Sequence, residues 1–468
     1  MAAMISNPEK PTVQEKFNQL REEYPFMEFS GFEAIVDSAG LHVKYTFNLA
    51  DKHIFHPGFS IPRKRFFNNF PTSGSIETPL FQNLIFQIGM IELVSYWKAA
   101  CSPKLIIKGR KLSADQELWW KNVYYLGLGE FFYTNEIITS RKEFMDIISE
   151  GEAIPLQSIN LDETVIVPIG GGKDSVVTLE LLSKTAKIRP FIMNPRGATL
   201  ECVRVAGFGN EGFIEVNRRL DPLLLELNKQ GFLNGHTPFS AMLAFYSLLV
   251  AAVSGHRHIA LSNESSANEP TIPGTDINHQ YSKSFAFESD FREYVRKYIS
   301  EDFNYFSFLR PLNELQIARI FAEQVKYYPV FKSCNAGSKT DIWCCNCSKC
   351  LFAFTILSPF IPMIELVHIF GKNLFELPGM LEYLKELTGI ADVKPFECVG
   401  TLDEVNAALH MFIARHKHEK LPLLIDYYSN TTNFSPDNPE ISTKVLNEFN
   451  DDHFLEPEFL AVIKQKLK

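Results

Sequence analysis

The chain has 468 residues, 46% of them hydrophobic, with 40 phenylalanines and a formal net charge of −9. Such a length and apolar content predict two or three domains with large cores. The acidic balance argues against a general nucleic-acid binder, which would present a basic face.

The segment Met1–Gln14 is polar and carries no apolar run, so no signal peptide is expected. From about residue 30 to 62 the pattern alternates as strands do. Phe32, Ala34 and Val36 share one side, as do Val43, Tyr45 and Phe47, with Ala39-Gly40 as the turn. Pro57, Gly58 and Pro62 close this part. Two helices are predicted next, over 78–100 and 113–126, the second with the capping pair Ser113 and Gln116. The aromatic load of the second helix is read as core packing.

A boundary is expected near 150–163. Beyond it, strands at 164–169, 190–193 and 258–262 alternate with helices at 175–184 and 238–254, which implies right-handed crossovers and a parallel sheet. The predicted fold is therefore α/β: an open, mostly parallel sheet with helices on both faces over residues 151–352. An N-terminal α+β domain (1–150) precedes it, and a mainly helical region (353–468) follows. In that last region 382–387 and 402–415 read as helices, and Leu423–Asp426 as one more strand. The final forty residues receive no role. Phe239–Ser254 is short for a membrane span, and Leu351–Phe370 is broken by Pro359, Pro362, Glu365 and His368, so both are expected to be buried helices.

The stretch Val165-Ile-Val-Pro-Ile-Gly-Gly-Gly-Lys-Asp-Ser175 joins a strand to a helix through three glycines. Gly170, Gly171 and Gly172 let the backbone approach a bulky anion, and the amides of Lys173, Asp174 and Ser175 open a helix N-terminus that attracts phosphate. The spacing matches neither the Walker triphosphate loop nor the dinucleotide fingerprint. Gly170-Gly-Gly-Lys-Asp-Ser175 resembles instead the Ser-Gly-Gly-x-Asp-Ser loop of the PP-loop ATP pyrophosphatases, and so implies a PP-loop/HUP-like core, ATP and Mg²⁺. Gly170 departs from that pattern by standing where the family has serine. The resemblance gives Asp174 the metal and Ser175 the phosphate; Lys173 is either a phosphate ligand or a solvated side chain. Asn263 and Glu264, just after a predicted strand, lie at the same ligand edge of the sheet and are read as further cofactor contacts.

Five of the eight cysteines fall between Cys334 and Cys350, unlike a secreted disulfide framework, and point to a reducing cytoplasm. Cys334, Cys344, Cys347 and Cys350 have spacing suited to tetrahedral zinc, with Cys345 as a competitor for Cys344. The pattern resembles the structural zinc site of PP-loop 7-cyano-7-deazaguanine synthases. Redox or iron–sulfur chemistry and unliganded thiols are the alternatives.

Several further motifs, Gly127-Leu-Gly-Glu-Phe-Phe132, Leu233-Asn-Gly-His-Thr-Pro238, Asn278-His-Gln-Tyr-Ser-Lys-Ser284 and Lys394-Pro-Phe-Glu-Cys-Val-Gly-Thr401, join the loop in a set. This set resembles the bacterial UDP-N-acetyl-α-D-muramoyl-L-alanyl-L-glutamate epimerases over roughly residues 115–410. The resemblance implies ATP- and Mg²⁺-dependent inversion of a terminal L-glutamate on a UDP-muramoyl dipeptide, for peptidoglycan synthesis, without nucleic-acid or membrane partners. Transfer of AMP to the α-carboxylate cancels its charge and makes the α-proton removable. His279, His236 and Cys398 are the acid–base candidates. Lys283 and Arg310 are candidates for the substrate's carboxylate or diphosphate. The competing readings are another zinc-containing PP-loop adenylating ligase, acting on a deazapurine or on tRNA, and a nucleotide-binding protein without chemistry.

Overall fold

The computed structural model describes residues 12–63, 73–272, 274–432 and 440–468, so most of the Met1–Gln14 reading lies outside the described residues. The strands are β1 (Phe26–Val36), β2 (Gly40–Leu49), β3 (His53–Phe55), β4 (Gly58–Pro62), β5 (Gly74–Ser75), β6 (Lys104–Ile107) and β7 (Asp146–Ser149). They continue with β8 (Asp162–Pro168), β9 (Ile188–Met193), β10 (Ile214–Arg219), β11 (His256–Leu261) and β12 (Asn304–Ser307). All belong to one open sheet in the order β12-β11-β8-β9-β10-β4-β2-β1-β6-β7, with β3 on β2 and β5 on β1. The five strands from β12 to β10 are parallel throughout. The joint with the earlier strands is antiparallel, β10 against β4.

Alternation decides which face each strand residue takes. Val165 and Val167 of β8 join a core with Val176, Leu179, Ile317 and Leu351, whereas Ile166 joins a second core with Leu84 and Leu248. The sheet is thus covered by helices on both faces, and both sides of β8 are apolar because both are buried. On the second face, helix Pro79–Trp97 carries the buried Glu92, which accepts from Arg218 of β10 (2.5 and 2.7 Å) and from the Tyr246 hydroxyl (2.8 Å). The expected Ser113–Gln116 capping box closes helix Ala114–Gly127.

Three expectations change. Pro57, Gly58 and Pro62 do not simply close a segment, because Gly58–Pro62 is the strand that pairs with both β2 and β10. Leu423–Asp426 is not a strand but the start of helix Leu423–Thr431, whose buried Leu424, Ile425 and Tyr428 follow helical spacing. The tail has a place: Val445, Leu446 and Glu448 offer carbonyls to Asn313 and Gln316, and Phe459 stacks on Phe306. Phe239–Ser254 is a buried helix, whereas the second stretch splits into the buried helix Ser348–Leu357 and a surface helix Met363–Phe370, in which only Leu366 and Phe370 are buried and Ile364 is exposed. Among the described residues, no helix is long and apolar enough to cross a membrane.

Candidate functional site

The site forms over the carboxyl ends of β8, β9 and β11, where an open parallel sheet leaves a crevice. After β8 the three glycines turn into helix Lys173–Leu182, whose N-cap is Gly172, with no side-chain cap on its first amides. Gly171 has φ +83°, and a Cβ there would lie 3.0 Å from the backbone of Ala198 and Thr199. Its carbonyl accepts from the Lys332 amide at 2.8 Å, which pins the turn. A Cβ on Gly170 would meet nothing within 4 Å. Beside the turn lies a cavity of about 290 Å³, lined in part by Gly170, Phe191, Met193, Asn194, Lys332 and Ser333. The Ser175 hydroxyl donates to the Gly172 carbonyl at 3.0 Å.

Below the turn, carboxylate oxygens of Asp174, Glu264 and Glu314 all lie within 4.8 Å of one another. Lys173 pairs with Asp174 at 2.5 Å and with Glu314. It is only 6% exposed, so the solvated-side-chain reading is set aside. Burial works to lower the Lys173 pKa, but Asp174 and Glu314 outweigh it and hold the ammonium charged. Burial raises the carboxyl pKa values of Glu314 and Glu264, with the neighbouring carboxylates adding to the effect. Glu404 braces this wall: it accepts from the Glu314 amide (3.0 Å), the Thr401 amide (2.6 Å) and the Ser266 hydroxyl.

A second cluster stands on the side of helix Gly129–Thr134. Glu130 Oε2 bonds His279 Nδ1 and lies 3.2 Å from His236 Nδ1; the two imidazole centroids are 4.5 Å apart. Cys398 and His279 are electrostatically linked, each favouring the charged form of the other. Two of the sequence-derived acid–base candidates, His236 and His279, therefore converge on one carboxylate, Glu130. The loops are held locally: Lys98 donates to Thr237 Oγ1 (2.8 Å), Thr271 accepts from the His279 amide (3.0 Å), and Gln280 donates to the Val399 carbonyl (3.1 Å). Burial opposes charge on His279, yet its bonds to Cys398 and Glu130 raise its pKa to about 9. Burial and the facing His279 lower His236 to about 4. For Cys398, burial favours the neutral thiol, but Lys283, Lys349 and His279 together bring it well below the ordinary thiol range. Burial opposes charge on Lys283, but Cys398, Glu264, Asp174 and Glu314 outweigh it and hold its ammonium charged.

The sulfurs of Cys334, Cys344, Cys347 and Cys350 also lie within 4.8 Å of one another. The Cys334–Cys347 and Cys344–Cys350 distances are 3.9 and 3.7 Å. Four thiolates at about 2.3 Å from a zinc ion in a tetrahedron would stand about 3.8 Å apart, so this set can hold a metal. Cys345 is turned away at φ +51°, its thiol facing the Phe370 carbonyl at 3.1 Å. None of the eight cysteines forms a disulfide.

The family model of the MurL N-terminal domain matches residues 18–308, and that of the MurL C-terminal domain residues 330–440. The chain belongs to the MurL family. The curated UDP-N-acetyl-alpha-D-muramoyl-L-alanyl-L-glutamate epimerase of Xanthomonas oryzae is 36% identical over 352 residues, 73% of this chain and 77% of the relative. The protein of that name from Micromonospora is 34% identical over 339 residues, 71% and 75% of the two chains. That from Salinispora tropica is 36% identical over 329 residues, 68% and 70%. No solved structure matches the chain.

Within this MurL chain, most sequence-derived site residues meet around the crevice, with two exceptions. Arg310 is fully buried and spends its donors on Glu288 (3.0 Å), the Glu264 carbonyl (2.6 Å), the Lys283 carbonyl and Ser307 Oγ (3.3 Å). It holds the two strips of backbone that carry Glu264 and Lys283. The buried Asn263 donates to Ser307 Oγ at 3.0 Å and ties the ends of β11 and β12 together. Sequence reasoning assigned no role to Glu130, Glu314 or Glu404. For Glu130 a signal was present: it lies in Gly127-Leu-Gly-Glu-Phe-Phe132, where Gly127 lets Pro238 pack close, so that the segment meets the loop of His236.

Proposed function

We propose that this protein inverts the terminal L-glutamate of UDP-N-acetylmuramoyl-L-alanyl-L-glutamate to D-glutamate through an acyl-adenylate, releasing AMP and pyrophosphate, as a cytoplasmic step of peptidoglycan synthesis. The observation that carries the reading is the pairing of a glycine-lined anion cradle, walled by Asp174, Glu264 and Glu314, with a Glu130–His236–His279 cluster. The names of the relatives supply the substrate.

The cradle faces pyrophosphate through the amides of Lys173, Asp174 and Ser175, on a PP-loop-like core. The adjacent cavity accepts the rest of ATP. Asp174, Glu264 and Glu314 fit a divalent cation, because two of these three carboxylates are buried and disfavour ionisation together. There Mg²⁺ would offset the charge of the phosphate oxygens. Once AMP is on the α-carboxylate, the carbonyl accepts electron density from the α-carbon. Inversion needs one group to take the proton and another to return it from the opposite face. His236, His279 and Cys398 supply those groups, with Glu130 orienting both imidazoles. The four-cysteine knuckle fits structural zinc and fixes the loop that begins at Lys332, whose amide holds the glycine turn.

Incubation with ATP, Mg²⁺ and the UDP-muramoyl dipeptide in deuterated water tests this. AMP, D-glutamate after hydrolysis and deuterium at the α-carbon are expected. Inversion without AMP formation, or AMP without α-deuterium, would overturn it.

A further inference from the structure

We propose that the cavity beside helix Gly129–Thr134 is the subsite for the uncharged N-acetylmuramoyl-alanyl part of the substrate, and that Tyr133 and Ile138 select for it. This rests on the epimerase reading above and adds to it the place where the arm behind the glutamate is held.

Three observations point there. First, the cavity adjoins the Glu130–His236–His279 cluster through two separate elements. Gly129 and Tyr133 line it, and Glu130 stands between them on the same short helix. Asp276 and Ile277 line it as well, and the loop they belong to carries His279. Helix and loop touch here, since a Cβ on Gly129 would lie 3.8 Å from Ile277 Cα. Second, the lining favours an uncharged occupant. The cavity holds about 410 Å³, within the range of roughly 300–1,000 Å³ of small-ligand pockets. Leu126, Phe132, Ile138 and Ile277 supply apolar wall, and among the described lining residues Asp276 alone is charged. A phosphate or carboxylate entering would find a carboxylate and no cation, so both charged ends of the substrate are turned away. Third, Ile138 is 84% exposed, more than any other large apolar side chain among the described residues. It is fixed in that position: its amide donates to Gln14 Oε1 at 2.7 Å, and the amide of the buried Ile137 donates to the Phe132 carbonyl at 2.8 Å. An isoleucine held in water at the rim of a cavity is stabilised when an apolar group covers it.

The order of parts in the substrate matches the order of parts in the protein. Between the diphosphate and the glutamate lie an acetamido sugar, a lactyl ether and an alanine, none of them charged. Their three methyl groups suit the aliphatic wall, and Tyr133, half-exposed with its ring 5.4 Å from that of Phe396, offers an aromatic face to the C–H side of the sugar. Asp276 is exposed and accepts from sugar hydroxyls at the rim. With the arm so placed, the α-carbon of the next residue comes to the imidazoles that share Glu130, while the diphosphate stays outside the cavity. Binding energy from the arm then holds the reacting carbon in register.

The test compares the UDP-muramoyl dipeptide with N-acetyl-L-alanyl-L-glutamate, which lacks the sugar, as substrates of wild type, Ile138→Ser and Tyr133→Ala. D-glutamate formation gives kcat and KM, with the KM for ATP, the melting temperature and the sedimentation coefficient measured on the same preparations. Wild type should prefer the full substrate, chiefly through KM. Each variant should lower that preference, taken as the ratio of kcat/KM values, by about ten-fold or more, with the KM for ATP and the melting temperature unmoved. Wild type that uses both substrates equally well overturns the proposal, as do variants that keep the wild-type preference. An unchanged preference together with lost self-association would assign the rim to a second copy of the chain and overturns it equally. Wild type that forms no D-glutamate from either substrate sinks the epimerase reading, and the subsite with it.

Discussion

Substituting the glycines of the cradle one at a time separates backbone geometry from mere flexibility. At Gly171 the backbone lies at φ +83°, which costs an L-residue about 1–2 kcal/mol. The added Cβ would also stand 3.0 Å from the Ala198 carbonyl carbon and the Thr199 nitrogen. These are backbone atoms at the start of helix Gly197–Val205 and cannot rotate away, so overpacking adds about 1–3 kcal/mol. Gly171→Ala should therefore cost about 2–5 kcal/mol. At Gly170 the Cβ meets nothing within 4 Å and φ is not positive, so Gly170→Ala and Gly170→Ser should stay within about 0.5 kcal/mol of the parent. The assay is the shift of the urea midpoint at unchanged slope, with pyrophosphate release measured on the same preparations. Gly171→Ala should lose both stability and pyrophosphate release, whereas Gly170→Ser should keep both and restore a hydroxyl beside the phosphate amides. Equal loss from the two positions would refute the claim that Gly171 alone carries the strained turn.

The pH profile follows from His279. Its pKa is raised to about 9 from an ordinary 6.5, so the stability it adds, about 3 kcal/mol, is fully present below pH 6.5 and is lost as pH rises through about 9. The rate should fall over that alkaline limb, and Glu130→Gln should move the midpoint to lower pH; an unmoved midpoint in pH-rate measurements would contradict the pairing. Metal analysis after gel filtration should find one zinc per chain, lost in Cys350→Ser with a lowered melting temperature and kept in Cys345→Ser. Arg310→Met should strand the buried Glu288 carboxylate and release the Glu264 and Lys283 carbonyls, costing about 3–5 kcal/mol by denaturation.

The parts of this architecture that could be read in sequence are those whose signal is local. The run Val165–Val167 followed by glycines marks a doubly buried strand ending in an anion cradle, and Phe239–Ser254 is apolar all round because sheet and neighbouring helices cover it. The choice between Cys344 and Cys345 was not legible, since it depends on the φ of +51° that turns Cys345 toward Phe370. Leu423–Asp426 looked like a strand because four residues cannot show whether Tyr428 continues the buried face. Lys173 could not be placed without Glu314, 141 positions further on. Glu130, Glu314 and Glu404 are single carboxylates whose roles arise only where distant loops meet.

On the proposed mechanism, the charge layout favours activating a carboxylic acid before its α-carbon is touched. Asp174, Glu264 and Glu314 bring three carboxyl groups to one wall, against which Lys173, Lys283 and Arg310 act as cations. Lys173 is already committed to Asp174 and Glu314. Before a divalent cation is bound at that wall, a free α-carboxylate arriving there adds a further negative charge to a partly buried region, where such repulsion is weakly screened. Adenylation removes that charge at the atom next to the α-carbon, so the activated acyl group suits the wall better than the acid does. Hydrolysis restores the carboxylate and with it the repulsion, which favours departure of the inverted product. On this account neutralising Glu264 as Glu264→Gln should, in binding measured without Mg²⁺, tighten the dipeptide acid and slow its release, and a variant that bound the acid no better would show that the wall is screened some other way.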